Sequence, residues 1–168
     1  MAEVTFGLSQ VLTSAPAADG GMGINLLETF GYTVPDSFSI TTEEGTQSDI
    51  FVEESDTAII SQNTPGAKRV SWETYNTSPE ALQAAFQGTI TGTGATRQWN
   101  APANVTAIIL SIRVNTKNNR RFDMAKVSVV PILNLAVNKT DAGRISFTGT
   151  VLIPDKPGVS PIVAGYQS

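Results

Sequence analysis

The chain has neither cysteine nor histidine in its 168 residues. Without cysteine there is no disulfide framework, no thiolate metal site and no thiol nucleophile, a composition suited to a reducing compartment. Without histidine, the Ser-His-Asp and Cys-His arrangements, the imidazole general base and the common zinc sites go as well. Carboxylate- or lysine-based catalysis stays open in principle, yet no pair of acids stands at a spacing usable for hydrolysis. The expectation is a non-enzymatic protein with no catalytic, cofactor-binding or metal-binding residue.

Long apolar runs are also missing. No window approaches the roughly 18 apolar residues of a membrane span. The N-terminus, MAEVTFGLSQVLTSAPAADGG, carries an acid at Glu3, no early base and no continuous apolar core, so it does not read as a signal peptide. These features predict a soluble chain made in the cytoplasm. Its length fits one domain, 1–168, with a flexible N-terminal segment over about 1–23 and a C-terminal arm over about 154–168.

Bases are absent from the first part of the chain. Residues 1–67 hold ten acids and no Lys or Arg, whereas residues 68–168 hold eleven bases and five acids, giving charges of −10 and +6 within a net −4. This is either ordinary solvated surface or the mark of a molecule whose acidic and basic faces meet between copies. The acids concentrate in TTEEGTQSDIFVEESD, with Glu43, Glu44, Asp49, Glu53 and Glu54. Carboxylates adjacent in a strand point to opposite faces and cannot share a metal, so a solvated hairpin tip that discourages edge pairing or orients a partner is expected.

What is present is one well-marked helix in a β-rich chain. In NTSPEALQAAFQG, Ser78 can cap, Pro79 sits at the first helical position, Glu80 faces the positive end of the dipole and Gly88 closes the far end. Leu82, Ala85 and Phe86 share a face, and so short a helix must dock on a sheet through them.

A first strand is predicted around Val4, Phe6, Leu8 and Leu12, and then a turn-rich stretch from Ser14 to Gly23 without a phosphate-loop pattern. Ile24 to Thr29 reads as a short strand or one helical turn. Further strands are predicted over Tyr32–Ile40, interrupted by Pro35, over Asp49–Glu54 and over Ala67–Tyr75, the last burying Val70 and Trp72. The segment TITGTGATRQWNAP reads as a loop or short hairpin, with Trp72 and Trp99 as core or seam residues.

The strongest β signal lies in the second half. Ile108, Leu110, Ile112 and Val114 alternate, as do Ala125, Val127, Val129, Pro131, Leu133, Leu135 and Val137, on either side of a basic turn with Lys117, Arg120, Arg121 and, just beyond, Lys126. They predict a long antiparallel hairpin in which Pro131 needs an edge or a bulge. Asp141-Ala142-Gly143 then turns into a third strand with Ile145, Phe147, Val151 and Ile153. The tail, with three prolines, reads as an arm laid over a neighbour or left free. A few bases in a chain of pI near 4.7 argue against stable nucleic-acid binding.

The order strand, acidic hairpin, strand, short capped helix, glycine-rich link, long hairpin, closing strand is similar to that of the tail tube proteins, or major tail proteins, of tailed bacteriophages. The runs that carry the resemblance are AKRVSWETYNTSPEALQAAFQG, QWNAP, RFDMAKVSVVPILNLAV and GRISFTGTVLIP, and it spans about Tyr32 to Pro154. It implies a mainly β, sandwich- or barrel-like subunit with one flanking helix. It further implies self-assembly into rings, usually six-fold, that stack into the virion's tail tube, formed in the host cytoplasm. Implied partners are other copies, the tape measure, terminator and baseplate or tip proteins, and DNA passing through the lumen without specific binding. The bases on the long hairpin depart from the commonly acidic lumen of such tubes. Joining of the acidic stretch Glu43–Asp56 to the basic stretch Lys117–Lys126 of a neighbour is the interface expected on charge. The alternative is a β-sandwich module of a virion or cell surface that binds carbohydrate or a receptor.

Overall fold

The computed structural model describes residues 4–136 and 138–167. Glu3, Val137 and the final residue of the 154–168 arm lie outside them. The protein is mainly β, sandwich-like, with antiparallel strands and one short helix. Its strands are β1 (Leu8–Ser14), β2 (Ser39–Thr42), β3 (Thr46–Val52), β4 (Ser55–Thr64), β5 (Lys68–Thr74), β6 (Thr89–Thr91), β7 (Gln98–Asn100), β8 (Ile108–Thr116), β9 (Arg120–Asn134), β10 (Arg144–Val151) and β11 (Val163–Tyr166); helix α1 is Pro79–Phe86. Seven strands form one sheet in the order β1-β8-β9-β10-β5-β2, with β11 added to β9. β3 pairs only with β4, and β6 only with β7.

The predicted meander of β8, β9 and β10 is present, and β9 is its spine. A three-residue turn, 117–119, joins β8 to β9, with Asn119 at φ 64° supplying the left-handed residue such a loop needs. β9 pairs with β8 along one edge and with β10 and then β11 along the other. The alternation read across Ala125 does not run in one phase: the register slips between Leu110 and Ile112, so that Met124 and Ala125 are both buried before Val127 and Val129 resume the core face. This is a bulge, and it is tied down. The buried Ser111 hydroxyl donates to the Ala125 carbonyl at 2.6 Å and accepts the Gly23 N–H at 2.9 Å. A Cβ on Gly23 would come within 1.9 Å of Ser14 Oγ, so the approach requires glycine. Pro131 sits opposite Phe147, past Val129 where pairing with β8 ends, so its missing N–H falls on a local edge as expected.

The core is built across β9, β10 and β5. Phe147 lies directly opposite both Pro131 and Trp72, stacks on the Trp72 indole at 4.6 Å, and meets the Phe30 ring at 4.6 Å from another side. Val70 and Trp72 are buried as expected. Gly149 stands where a Cβ would come within 2.7 Å of Val127, which lets the strands approach closely.

Several expected elements shift. Val4 and Phe6 precede β1 and are exposed; its inward residues are Val11 and Thr13. Residues 24–29 contribute a single bridge, Leu27 to Thr13. The expected strand Tyr32–Ile40 contracts to β2, because Pro35 and Asp36, the latter at φ 59°, form a turn closed by Ser37 N–H to Val34 C=O. Asp49–Glu54 is the end of β3 plus its turn, and its partner β4 was not foreseen. Leu135 and Ile153 are exposed, since β9 stops at Asn134 and β10 at Val151. The tail folds back on its own chain: β11 lies on Arg120–Asp123, and Gln167 Nε2 donates to the Thr116 carbonyl.

Helix α1 forms where expected. Ser78 Oγ accepts the Ala81 N–H, Pro79 opens the first turn, and Gly88 follows the C-cap Gln87. The Trp99 indole N–H donates to the Gln87 carbonyl at 2.8 Å, and its ring packs 5.9 Å from Phe86, so the β6–β7 hairpin seals the helix end. Ala81, Ala85 and Phe86 are buried, whereas Leu82 is only half-buried at the rim. Phe86→Ala should therefore cost about 3–5 kcal/mol and Leu82→Ala about 2 or less. Urea titration of the two variants checks the order; equal losses would mean that Leu82 is set in the core as deeply as Phe86.

Candidate functional site

Exposed large apolar side chains occur on the body, among them Ile24, Leu27 and Tyr32, but within one element they gather on the β3–β4 hairpin. All of β3 and every residue of β4 except Ala58 are exposed, so neither face of the hairpin lies on the body. Ile50 sits opposite Ile60, and Ile59 by alternation faces the other way. Ile50, Phe51, Val52, Ile59 and Ile60 are all exposed, between 38% and 58%. A free two-stranded hairpin is marginal in water, and a contiguous apolar surface on one marks a place where another surface is meant to lie.

The charged residues expected at an interface divide into two groups. Glu43 pairs with Arg69 at 2.6 Å, beside the hairpin's base. Arg121 lies 3.3 Å from Asp123, which also takes a two-pronged bond from Arg113 at 2.7 and 3.0 Å. Lys126 is not on the turn but in the middle of β9, paired with Asp155 at 2.7 Å. Arg120 lies over the Tyr166 ring at 4.8 Å. These contacts hold the tail and the turn to the body. By contrast, Glu44, Glu53 and Glu54 make no ion pair among the described residues, and Asp49 takes hydrogen bonds from Gln47. Lys117, at the tip of the β8–β9 turn, also has no ion pair there. The acidic and basic stretches do not meet within the chain.

A second feature had no periodic signal in the sequence. An apolar groove of about 430 Å³ runs between the two edge strands, with Leu8 from β1, Ile40 from β2, and Phe38, Phe122 and Ile162 around them. These side chains pack on the core below. The sheet therefore curls far enough for both its edges to line one groove.

Among the described residues no group of three or more acids is placed to hold a metal ion, and no helix is long and apolar enough to cross a membrane. No protein-family model matches the chain, and no curated protein matches it.

The charges set the response to acid. Asp49 is held below its ordinary value of 3.8 by the Ser61 hydroxyl opposite it and then by the Gln47 amide. Asp19 is lowered by Lys156 and then the Gly21 N–H, and Asp141 by Arg144 and then the Ala142 N–H. Each folded value lies below the unfolded one, so each contribution is present above the ordinary value and lost as pH falls through the folded one. With no histidine to titrate, stability should stay level from about pH 7 to 5 and decline below about pH 4. Urea midpoints across that range check this, and Asp19→Asn/Asp49→Asn/Asp141→Asn should flatten the decline. Stability that rises into acid would contradict it.

Proposed function

We propose that this chain is a structural subunit that assembles with copies of itself, and that the assembly is the ring-stacked tail tube of a bacteriophage, the conduit for genome delivery. The observation that carries self-assembly is the β3–β4 hairpin: an arm with apolar side chains on both faces and unpaired acids at its tip. The tube itself rests on the resemblance in element order. A structural role needs no catalytic group. It needs unlike surfaces that join head to tail, and the acidic hairpin and the basic β8–β9 turn are such a pair.

Magnitudes decide which part of the arm matters. Fully burying a large apolar side chain is worth about 1.5–3 kcal/mol, so completing the burial of five half-exposed ones yields on the order of 5 kcal/mol per arm before ordering costs. An exposed ion pair is worth about 0.2–1 kcal/mol and is screened by salt. Apolar contact therefore holds the assembly, and charge sets its direction and speed.

Phe51→Asp/Ile60→Asp should keep the purified chain monomeric with a melting temperature within about 2 °C of the wild type, since neither side chain supports the body. Glu53→Lys/Glu54→Lys should slow assembly several-fold without abolishing it. Electron microscopy and sedimentation velocity read both: rings or tubes are expected from the wild type. Tubes from the double Asp variant, or a wild type that stays monomeric at high concentration, would overturn the proposal.

A further inference from the structure

We infer that the cleft between the 28–38 loop, the start of β1 and the β8–β9 turn binds a free basic amino acid, arginine above all. The cleft is separate from the β3–β4 hairpin on which self-assembly rests, and the inference does not depend on that proposal.

The walls of the cleft are fixed by the fold. Thr74, buried in β5, donates its hydroxyl between the carbonyls of Phe30 and Tyr32. The Val34 N–H donates to the Glu73 carbonyl at 2.8 Å, and Ser37 Oγ accepts the Glu73 N–H at 3.1 Å. Phe30 is buried against Phe147, so the loop is anchored in the core. On the opposite wall the Lys117 N–H donates to the Gly7 carbonyl at 2.8 Å, and the Lys117 stem lies against Gly7, where a Cβ would come within 3.1 Å of it. The space between the walls, about 400 Å³, lies in the range of small-ligand sites. Tyr32 stands at the cleft on this firmly held loop with 92% of its surface exposed. Its ring offers a flat face on which a planar cation stacks.

Charge selects the ligand. Glu28, Asp36 and Lys117 all line the cleft, and none of the three makes an ion pair among the described residues. Two carboxylates and one ammonium call for the opposite set, two cations and one anion on a single small molecule. Free arginine and lysine carry that set at neutral pH, in the α-ammonium, the side-chain cation and the carboxylate. A simple anion would meet two like charges, a diamine would set a cation against Lys117, and a neutral zwitterion would leave one carboxylate without a partner. Ser9, Gln10 and Thr33 add hydroxyl and amide groups for the remaining N–H donors. Arginine is favoured over lysine because its guanidinium forks onto a carboxylate and stacks on an aromatic face.

The test is calorimetric titration of L-arginine into the full chain. Lys117 also lies on the turn invoked for assembly, so the protein is kept at a concentration where sedimentation shows monomer. Saturable one-site binding with a Kd of about 1 mM or tighter is expected. Agmatine, which lacks the carboxylate, and citrulline, which lacks the side-chain charge, should each bind about tenfold more weakly. Lys117→Met should abolish the preference for arginine over agmatine. Glu28→Gln and Asp36→Asn should each weaken arginine about tenfold at unchanged melting temperature, since both side chains are exposed and Asn tolerates the left-handed backbone of residue 36. Heats that do not saturate by about 10 mM, or equal binding of arginine and agmatine by the wild type, would overturn the site. Wild-type affinity in the Glu28→Gln/Asp36→Asn chain would overturn it as well. None of these outcomes touches the hairpin, whose role is read separately from particle formation.

Discussion

The structure depends on a backbone constraint in β9. This fifteen-residue strand must satisfy hydrogen bonds on both edges while presenting apolar side chains to one core, and strict alternation over that length would twist part of the face away. The bulge opposite Ser111 answers the constraint by inserting one residue, after which Met124 and Val127 both face inward. Ser111 binds the freed carbonyl of Ala125 and, through Gly23, anchors the N-terminal loop to the same point. From there β10 registers Phe147 against Trp72, and β11 finds the remaining edge beside Arg120 to Asp123.

The result is a body with a continuous apolar core and an arm that contributes nothing to it. The ion pairs Lys126–Asp155, Lys156–Asp19 and Arg144–Glu73 join segments far apart in sequence, and Arg113–Asp123 crosses the β8–β9 hairpin. Such exposed and half-exposed pairs add little free energy each, but they occupy charges that would otherwise seek a partner. The hairpin offers no such internal satisfaction.

How much of this could be read from residues alone follows the range of the interactions. Local signals were legible: Ser78 and Pro79 opening α1, and the alternation along β8; the turn expected at Asp141–Gly143 lies instead at 138–140, held by the Asn138 side chain. Of the helix face read from periodicity, Ala85 and Phe86 are buried and Leu82 packs on the core while partly exposed; the buried Ala81 lay outside that reading. The tail read as an arm over a neighbour or left free because a short strand such as Val163–Tyr166 acquires meaning only from the open edge of β9. β4 was missed since Ala58, Ile59 and Ile60 lie together without alternation, as befits a strand buried on neither face. The groove lines up residues from five places in the chain and left no sequence signal. The interface acids and bases were recognised as clusters, but their pairing inside the chain, as for Glu43 with Arg69 or Lys126 with Asp155, is a tertiary fact.

Amide hydrogen exchange across residues 46–64, in monomer and in assembled particles, tests the central claim most directly. An arm completed by another copy predicts fast exchange in the monomer, beside strong protection in β8 and β9, and protection of the hairpin appearing in step with particle formation. A hairpin already protected in the monomer, or still exchanging freely inside assembled particles, would contradict it.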